Sequence, residues 1–256
     1  MSRRSSITTI AAALSVVLLF GAAVHAAEIK VLTSVALSSA LNEVVPSFEK
    51  KTGNNVTIDY GLAADMKKRV LNGEHADVII VTRAMMEDLA KQGKVAADSI
   101  ANVAGTPVAV AARAGAAKPD ISSVDAFKQT LLAAKSISYA DPAKGGLSGV
   151  VMARAIEHLG IAEQLKAKTI LVPGAQSPEL VAKGDVELGI AQASEIVPVV
   201  GVQLVGPLPG ELASVTLFTG GIGTDSQSAA AGKALIEFLR GPEAAPSFKA
   251  KGFEPG

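Results

Sequence analysis

The chain has 256 residues, 24 basic and 24 acidic side chains, and no cysteine. The even charge balance argues against the basic stripe of a nucleic-acid-binding protein, and the lack of cysteine excludes disulfides, thiolate metal sites and a cysteine nucleophile. The length allows a sizeable core, which the scarcity of aromatic residues makes aliphatic, in one large domain or in two lobes.

Residues 1–26 have the pattern of a cleaved export signal. Arg3 and Arg4 form a basic start, residues 10–23 form an apolar run, and Val24-His25-Ala26 is a small-residue cleavage site. The apolar run is short for a membrane span, which needs about 20 residues, so an uncleaved anchor is the less favoured alternative. We expect a periplasmic protein exported by the general secretory route, with twin-arginine export left open by the Arg3-Arg4 pair.

The mature chain opens with a predicted strand, a Thr-Ser turn and a helix. Apolar residues at 29–32 indicate a buried strand that Thr33 and Ser34 end, and five apolar residues at helical spacing follow between Leu37 and Phe48. A helix N-terminus carries free N–H groups and the positive end of the helix dipole. Beside hydroxyl groups at the end of a strand, such a helix start predicts an anion-binding site.

Strand-like and helix-like segments then alternate along the chain. Strands are predicted at 56–60, 77–81, 107–112, 136–139, 169–172, 188–191, 203–205 and 212–218, and helices at 63–71, 84–92, 124–134, 147–159 and 229–239. The pair Gly241-Pro242 ends the last of these helices and begins another. The alternation predicts an α/β fold with mostly parallel sheets flanked by helices.

Two irregular connectors, at 116–120 and 205–210, bracket a central segment of ordinary domain size. We therefore expect the chain to leave a first lobe, build a second lobe and return. The predicted first lobe comprises residues 27–107 and 208–256, and the predicted second lobe comprises residues 108–207.

Ligands of open α/β sheets bind beyond the carboxyl ends of the strands, where this chain carries mainly small and neutral residues. Ser148 follows a glycine-rich loop near a helix start, and either a ligand contact or a plain helix cap explains it. Arg83 directly follows a predicted strand. It either forms a forked bond to a carboxylate or oxyanion or is a solvated arginine in the next helix.

No catalytic constellation is evident in the sequence. His75 and His158 are dispersed and have no acidic pair nearby, and the chain has no G-x-S-x-G or H-E-x-x-H motif. An exported hydrolase would need a nucleophile with a base, or a metal site. We therefore expect no enzymatic activity, no cofactor and no metal cation chelated by the protein.

Five stretches of the chain resemble the periplasmic molybdate-binding protein family of ABC importers. They are residues 29–41, 73–82, 138–149, 186–195 and 238–253, and their order is more specific than any one of them. The resemblance implies the two-lobed class II periplasmic-binding fold, with hinge closure and the ligand at the lobe interface. It also implies that the protein passes a small anionic ligand to a membrane permease. We expect a monomer without a nucleic-acid partner.

In that family, two serine hydroxyls, one tyrosine hydroxyl and several backbone N–H groups hold the oxyanion. The resemblance places Ala36 and Ala63 at the serine positions and Gln192 at the tyrosine position, so the three hydroxyls are lost. Each missing bond to a buried charged ligand costs roughly 1.5–3 kcal/mol. Thr33 and Ser34 can compensate, and the Gln192 amide can still donate.

The candidate ligand-binding residues are Thr33, Ser34, Ala36, Ala63, Arg83, Ser148, Gly174, Gln176 and Gln192. Backbone donors are implied at or next to Ala36, Ala63, Ser148 and residues 174–176. The leading ligand is a tetrahedral oxyanion of the molybdate or tungstate kind. The alternatives are a small organic carboxylate or phosphorylated acid held by Arg83, and a periplasmic sensory subunit with the same fold.

Overall fold

The computed structural model describes residues 26–256, without the side chain of Pro255, so the predicted export signal lies outside it except for Ala26. The strands are β1 Glu28–Ser34, β2 Asn55–Gly61, β3 Val78–Thr82, β4 Ala101–Arg113, β5 Ile137–Ala140, β6 Thr169–Val172, β7 Leu188–Gln192, β8 Val202–Pro207, β9 Val215–Ile222 and β10 Glu254–Pro255. The helices are α1 Ser38–Thr52, α2 Ala63–Leu71, α3 Arg83–Lys91, α4 Val124–Ala133, α5 Leu147–Leu159, α6 Ala162–Lys166, α7 Ser177–Lys183, α8 Ala193–Ile196, α9 Ala229–Arg240 and α10 Ala245–Ala250. Within this range, no helix combines the length and apolarity that crossing a membrane requires.

The strands follow the order β2-β1-β3-β9-β4-β7-β5-β6. Parallel pairing joins β1 to β2 and β3 in one half, and β5 to β6 and β7 in the other half. Strands β4 and β9 run antiparallel to their neighbours and connect the two halves. The parallel parts agree with the predicted α/β class. The alternation of predicted strands and helices along the sequence did not reveal that β4 and β9 run antiparallel to their neighbours.

Two large apolar cores lie on either side of this connection. The first contains Leu41, Phe48 and Phe218 and draws its buried residues from 29–104 and 218–253. The second contains Phe127 and Ile190 and draws its buried residues from 108–212. Two cores built from these ranges support the lobe boundaries that we propose near residues 107 and 207. The long strand β4 passes from one core to the other.

Strand β4 connects the lobes because its two ends have different partners. Residues 101–107 of β4 pair with β9, whereas residues 108–113 pair with β7 and β8. Thr106 of β4 lies opposite Thr216 of β9 in this register. The two threonines therefore lie on paired strands at the point where the chain changes lobes.

Candidate functional site

The parallel strands of each lobe bring the predicted ligand-binding residues to one edge. In the first lobe, Ser34 at the end of β1 lies opposite Gly61 at the end of β2, two residues before Ala63. In the second lobe, Ala140 of β5 lies opposite Val172 of β6. The loops that carry Ser148, Gly174 and Gln176 therefore begin side by side, and Gln192 ends the adjacent strand β7.

The two edges lie against each other, and we place the proposed ligand cleft between them. A Cβ atom built on Gly145 would lie 3.3 Å from the Cβ of Ala64, and one built on Gly174 would lie 3.7 Å from Leu62. Leu147, at the start of α5, packs against the core of the first lobe. Helix α8 contacts the 3₁₀ turn Val35–Leu37. The loops after β5 and β6 thus contact the first lobe next to Ala63, and a ligand site between them stays a prediction.

Glycines permit close packing in the loops on the second-lobe side of the cleft. Gly149 lies in the first turn of α5, where a Cβ atom would overlap the carbonyl oxygen of Ala140. Gly145 and Gly174 have φ angles of 80° and 58°, a left-handed conformation that favours glycine. The glycine-rich loop noted in the sequence therefore shapes the wall of the cleft.

The hydroxyl groups at the end of β1 differ in what they can offer a ligand. Thr33 Oγ1 donates its only proton to the carbonyl oxygen of Ile80 at 3.1 Å, and Thr33 is fully buried. Ser34 Oγ instead accepts the N–H of Ala36 at 3.4 Å, so its own proton remains free to donate. Ser34 can therefore replace a lost hydroxyl, whereas Thr33 and the Ala36 N–H are already used within the lobe.

Helices α2 and α5 both begin without a side-chain cap. Their N-cap residues are Leu62 and Gly146, and neither offers a side-chain hydrogen bond to the first turn. The first-turn N–H groups of a helix have no intrahelical partner. The starts of α2 and α5, which include Ala63 and the buried Ser148, therefore have N–H groups without a side-chain cap. That these groups bind an anion stays a prediction.

Gln192 and Glu195 have the reciprocal arrangement of a capping box at the start of α8. In this box Glu195 Oε2 accepts the N–H of Gln192 at 3.0 Å, and the Gln192 side chain faces the backbone N–H of Glu195. Gln192 is 1% exposed, and its Nε2 donates to Thr216 Oγ1 at 3.1 Å. The Gln192 amide is therefore bonded within the protein, at the position where the resemblance implies a tyrosine hydroxyl.

Glu195 was not among the residues predicted from the sequence. Glu195 as a whole residue is partly exposed, but burial of its carboxyl group raises the pKa to about 7, against the lowering effect of the Gln192 N–H bond. A carboxyl group with this pKa can exchange a proton near neutral pH. The spacing Gln-x-x-Glu after a strand is a capping-box signature that would have revealed this position.

Arg83 has protein partners for its guanidinium. Its Nε donates to Glu87 Oε1 at 3.0 Å and its Nη1 donates to Asn102 Oδ1 at 3.1 Å, on an exposed part of α3. A ligand role for Arg83 would require both bonds to break, and it remains a prediction.

The remaining polar clusters and cavities lie apart from this cleft. Among residues 26–256, no group of three or more histidine, aspartate or glutamate side chains is placed to hold a metal ion. A cavity of about 710 Å³ lies in the first lobe beside Leu239, Phe248 and Phe253. It shares no residue with the candidate site, so we base the site on the strand ends and not on cavity size.

Comparisons with known proteins agree with this architecture. Residues 29–254 match the family described as bacterial extracellular solute-binding protein. A Pseudomonas sp. protein named aconitate isomerase is 34% identical over 233 residues, which are 88% of this chain and 87% of that protein. The molybdate-binding protein ModA of Azotobacter vinelandii is 28% identical over 243 residues, covering 92% and 93% of the two chains. The solved structure of a periplasmic molybdate-binding protein of the same species has a TM-score of 0.71 and 21% identity, covering 88% of this chain and 98% of that one.

These comparisons confirm the resemblance to molybdate-binding proteins and the two-lobed α/β fold. They also correct one prediction: the expectation that the chain is not an enzyme is wrong, because a relative at 34% identity is named as an isomerase. The sequence argument looked for the nucleophile or metal site that hydrolysis needs. An isomerisation that moves a proton needs a base and donors that stabilise negative charge, and neither leaves a recognisable motif.

Proposed function

The chain belongs to the bacterial extracellular solute-binding protein family, and we propose that it binds a small unsaturated polycarboxylic acid of the aconitate type and isomerises it. The observation that carries this proposal is the 34% identity to a Pseudomonas sp. protein named aconitate isomerase. The candidate base is Glu195 in α8, because burial of its carboxyl group raises the pKa to about 7. A carboxyl group with this pKa can serve as a base near neutral pH. We place the reaction in the periplasm, after removal of residues 1–26.

Three donor groups fit the carboxylates of such a ligand. The starts of α2 and α5 provide uncapped N–H groups from opposite lobes, and Ser34 provides a free hydroxyl proton. Backbone dipoles bind anions without formal positive charge, and they strengthen when closure of the lobes excludes water. These donors also stabilise the negative charge that develops when a proton is removed next to a carboxylate.

The reaction needs only one proton and one base. Aconitate has a CH₂ group bonded to one carbon of its double bond, and each end of this three-carbon unit carries a carboxylate. Glu195 would remove a proton from the CH₂ carbon, and the C–H electron pair would form the new double bond while the old one opens. The same proton then returns to the carbon at the other end. The arrangement of the former CH₂ arm decides the geometry of the new double bond.

Support for an organic acid also comes from the three lost hydroxyls. Ala36, Ala63 and Gln192 occupy the positions that the resemblance assigns to two serines and a tyrosine, and three missing bonds at roughly 1.5–3 kcal/mol each would greatly weaken oxyanion binding. A larger acid can instead distribute its carboxylates over the donors of both lobes.

A molybdate-like oxyanion passed to the permease of an ABC importer is the second candidate. The 28% identity to ModA of Azotobacter vinelandii favours it, and so do the uncapped starts of α2 and α5, since backbone donors do not depend on side-chain identity. In this case Ser34 would be the remaining hydroxyl donor, and Glu195 would have a purely structural role at the start of α8.

Titration calorimetry of purified residues 27–256 with cis-aconitate, trans-aconitate, molybdate and sulfate separates the two candidates. We expect heat of binding with the aconitates and little with the inorganic anions. Proton NMR of cis-aconitate incubated with the protein should show conversion to the trans isomer. Tight molybdate binding without aconitate binding would overturn the proposal and establish the second candidate.

A further inference from the structure

Helix α8 rests on a backbone turn that belongs to the first lobe. Gly252 in this turn has a φ angle of 81°. A Cβ atom built on Gly252 would lie 2.8 Å from the carbonyl carbon and oxygen of Ala193 and 3.1 Å from the nitrogen of Ser194. The left-handed φ angle disfavours a side chain at this position, and the contact leaves no space for one. The turn therefore packs directly on the peptide bond between Ala193 and Ser194, at the start of α8.

A single buried hydroxyl group joins the same two segments. Thr106 is fully buried, and its Oγ1 accepts the Ser194 N–H at 3.1 Å and donates to the carbonyl oxygen of Gly252 at 3.1 Å. A threonine hydroxyl has only one proton to donate, so this proton is committed to the turn. Thr106 lies just before the point where the partners of β4 change from β9 to β7 and β8. The hydroxyl therefore connects α8 with the turn at the junction of the lobes.

The turn at Gly252 is itself held in the core of the first lobe. The Gly252 N–H donates to the carbonyl oxygen of Lys249 at 3.1 Å, and the Phe253 N–H donates to that of Phe248 at 3.0 Å, which ends α10 at a left-handed glycine. Phe253 is 3% exposed, and its ring packs edge-on against Phe248 and Phe218, with centroid distances of 5.4 and 6.5 Å. Because such cores are close-packed, the turn provides a fixed support for α8.

We propose that Thr106 and Gly252 are positioning residues that hold α8, and with it the candidate base Glu195, against the first lobe. Glu195 directly follows Ser194, whose N–H is bonded to Thr106. A catalytic group must be held within about 0.5 Å of its productive position by the residues around it. The inference rests on the proposed function, and it adds two residues, outside the predicted ligand-binding set, on which the reaction would depend.

Loss of this support should also change the surroundings of the Glu195 carboxyl group. Burial raises its pKa to about 7, and a displaced α8 would admit water and lower that pKa. The elements with the most extensive contacts to α8 are β4, β7, β8 and the turn Val35–Leu37, and Arg113 at the far end of β4 is their one ionisable side chain. In the supporting turn, Lys251 forms an ion pair with Glu43 at 2.9 Å. A fall in the pKa of Glu195 would therefore report lost burial.

Thr106→Val removes both bonds of the hydroxyl at nearly constant side-chain volume. Carbon-13 NMR titration of the glutamate carboxyl groups, with Glu195 assigned by the signal missing in Glu195→Gln, measures the pKa without catalysis. We expect this pKa to fall from about 7 toward 4.5. On the plateau above about pH 8, kcat for aconitate should fall at least roughly tenfold, with KM within about twofold. Thr106→Ser keeps a hydroxyl and should restore both values. Thr219→Val, which removes an equally buried hydroxyl bonded to Asn102 Oδ1 at 3.4 Å, should change neither.

Gly252→Ala tests the backbone contact, and Gly53→Ala is the matched control. Gly53 has a φ angle of 76° at the end of α1, but a Cβ atom built there would meet nothing within 4 Å. Both variants place alanine in a left-handed conformation, so both should lose similar stability. Only Gly252→Ala should push on the peptide bond between Ala193 and Ser194, and only this variant should lower the pKa of Glu195 and kcat.

The outcomes distinguish this inference from the proposed function. If Thr106→Val and Gly252→Ala are folded by circular dichroism and keep the wild-type pKa of Glu195 and the wild-type kcat, the inference fails and the proposed function stands. The inference also fails if Gly53→Ala lowers that pKa as much as Gly252→Ala. If the wild-type protein does not isomerise aconitate, the proposed function fails, and the NMR titration still shows whether the two residues hold α8. Where Thr106→Val does not fold, the comparison of Gly252→Ala with Gly53→Ala decides.

Discussion

Gly145 of the second lobe lies against Ala64 of the first, so that a Cβ atom on Gly145 would come within 3.3 Å of the Ala64 Cβ. The contact joins the loop after β5 to the first turn of α2, where both lobes offer backbone donors. No room is left for a larger side chain at this position when the lobes are together. The contact between the two lobes therefore depends on two small residues facing each other.

Ala64→Leu should hold the lobes apart and weaken ligand binding. We expect an affinity loss of at least about tenfold, equivalent to about 1.4 kcal/mol, because closure would require the leucine to enter occupied space. The thermal midpoint should change little, since Ala64 is only partly buried. Calorimetry measures the affinity, and Ala90→Leu on α3, also at a partly buried helical alanine, is the matched control. Unchanged affinity in Ala64→Leu would show that the ligand does not need this closed contact.

Glu195→Gln should abolish isomerisation while leaving binding largely intact. The loss of a general base typically lowers kcat by about 10²–10⁴-fold, and glutamine retains an oxygen that can accept the Gln192 N–H. In the wild-type protein only the ionised carboxyl can act as a base, so the rate should rise with pH through about 7, the pKa of Glu195. A pH–rate profile by NMR or absorbance measures this. A flat profile, or a variant with wild-type kcat, would exclude Glu195 as the base.

The same variant should alter how stability depends on pH. The pKa of Glu195 in the folded protein, about 7, lies above its ordinary value of 4.5. Its protonated form therefore stabilises the fold below about pH 4.5, and this contribution is lost as the pH rises through about 7, with a total of up to ~3 kcal/mol. Urea unfolding at several pH values should show this decrease in the wild-type protein and a smaller one in Glu195→Gln.

The regular elements that surround the site were largely predictable from the sequence. The bounds of α5 and β6 agree with the prediction at both ends, because caps and apolar spacing are local signals. Strand β4 was predicted only at 107–112 but spans Ala101–Arg113. Its first half contains Asn102, Gly105 and Pro107, which disfavour strands, and pairing with β9 overrides that preference.

The chemistry at the end of β7 was less predictable. Helix α8 has only four residues, too few for a periodic pattern, and the sequence analysis therefore did not predict it. The burial that raises the pKa of Glu195 comes from packing among segments distant in the sequence, including β4. Thr216 bonds Gln192, which lies 24 residues earlier in the chain, and no local sequence motif predicts such a bond. Gln192 itself was a candidate only through the family resemblance, and its ligand role stays a prediction.

Asp77→Asn should destabilise the fold without changing the cleft. Burial alone would raise the pKa of Asp77, but hydrogen bonds from the Lys30 N–H, Ser226 and Ser228 lower it overall. We expect a loss of about 2–3 kcal/mol in the free energy of unfolding, measured with urea. The stability that ionised Asp77 contributes should be present at neutral pH and disappear as the pH falls below about 4.

An exposed aspartate provides the control for this variant. Asp185→Asn, at an exposed position after α7, should stay within about 0.5 kcal/mol of the wild-type protein. If Asp185→Asn loses as much stability as Asp77→Asn, the cause is the change in net charge and not the loss of the hydrogen bonds that Asp77 accepts.

Arg83→Ala should leave ligand affinity within about twofold of the wild-type value, which is a change of about 0.4 kcal/mol. The guanidinium is bonded to Glu87 and Asn102, and its side chain is 55% exposed, so binding a ligand would cost two existing bonds. Calorimetry with aconitate and with molybdate tests both candidate ligands. A loss of more than tenfold with either one would establish the ligand role that the sequence suggested for Arg83.

Ser34→Ala should weaken ligand binding more than its effect on stability explains. Ser34 caps the turn Val35–Leu37 through the Ala36 N–H and keeps a hydroxyl proton to donate. Losing a bond to a charged ligand costs about 1.5–3 kcal/mol, or roughly 10–100-fold in affinity. Ser123→Ala is the matched control, because Ser123 caps α4 in the same way through the Ala126 N–H at 3.1 Å in the second lobe.

Both serine variants should lose about 1 kcal/mol of stability, the usual cost of a missing N-cap. Only Ser34→Ala should also lose affinity in calorimetry, since only Ser34 lies at the end of β1 that faces the cleft. Equal affinities for the two variants would mean that the Ser34 hydroxyl does not donate its proton to the ligand. The binding of the anion would then depend on backbone N–H groups alone, and the three hydroxyls lost at Ala36, Ala63 and Gln192 would have no replacement.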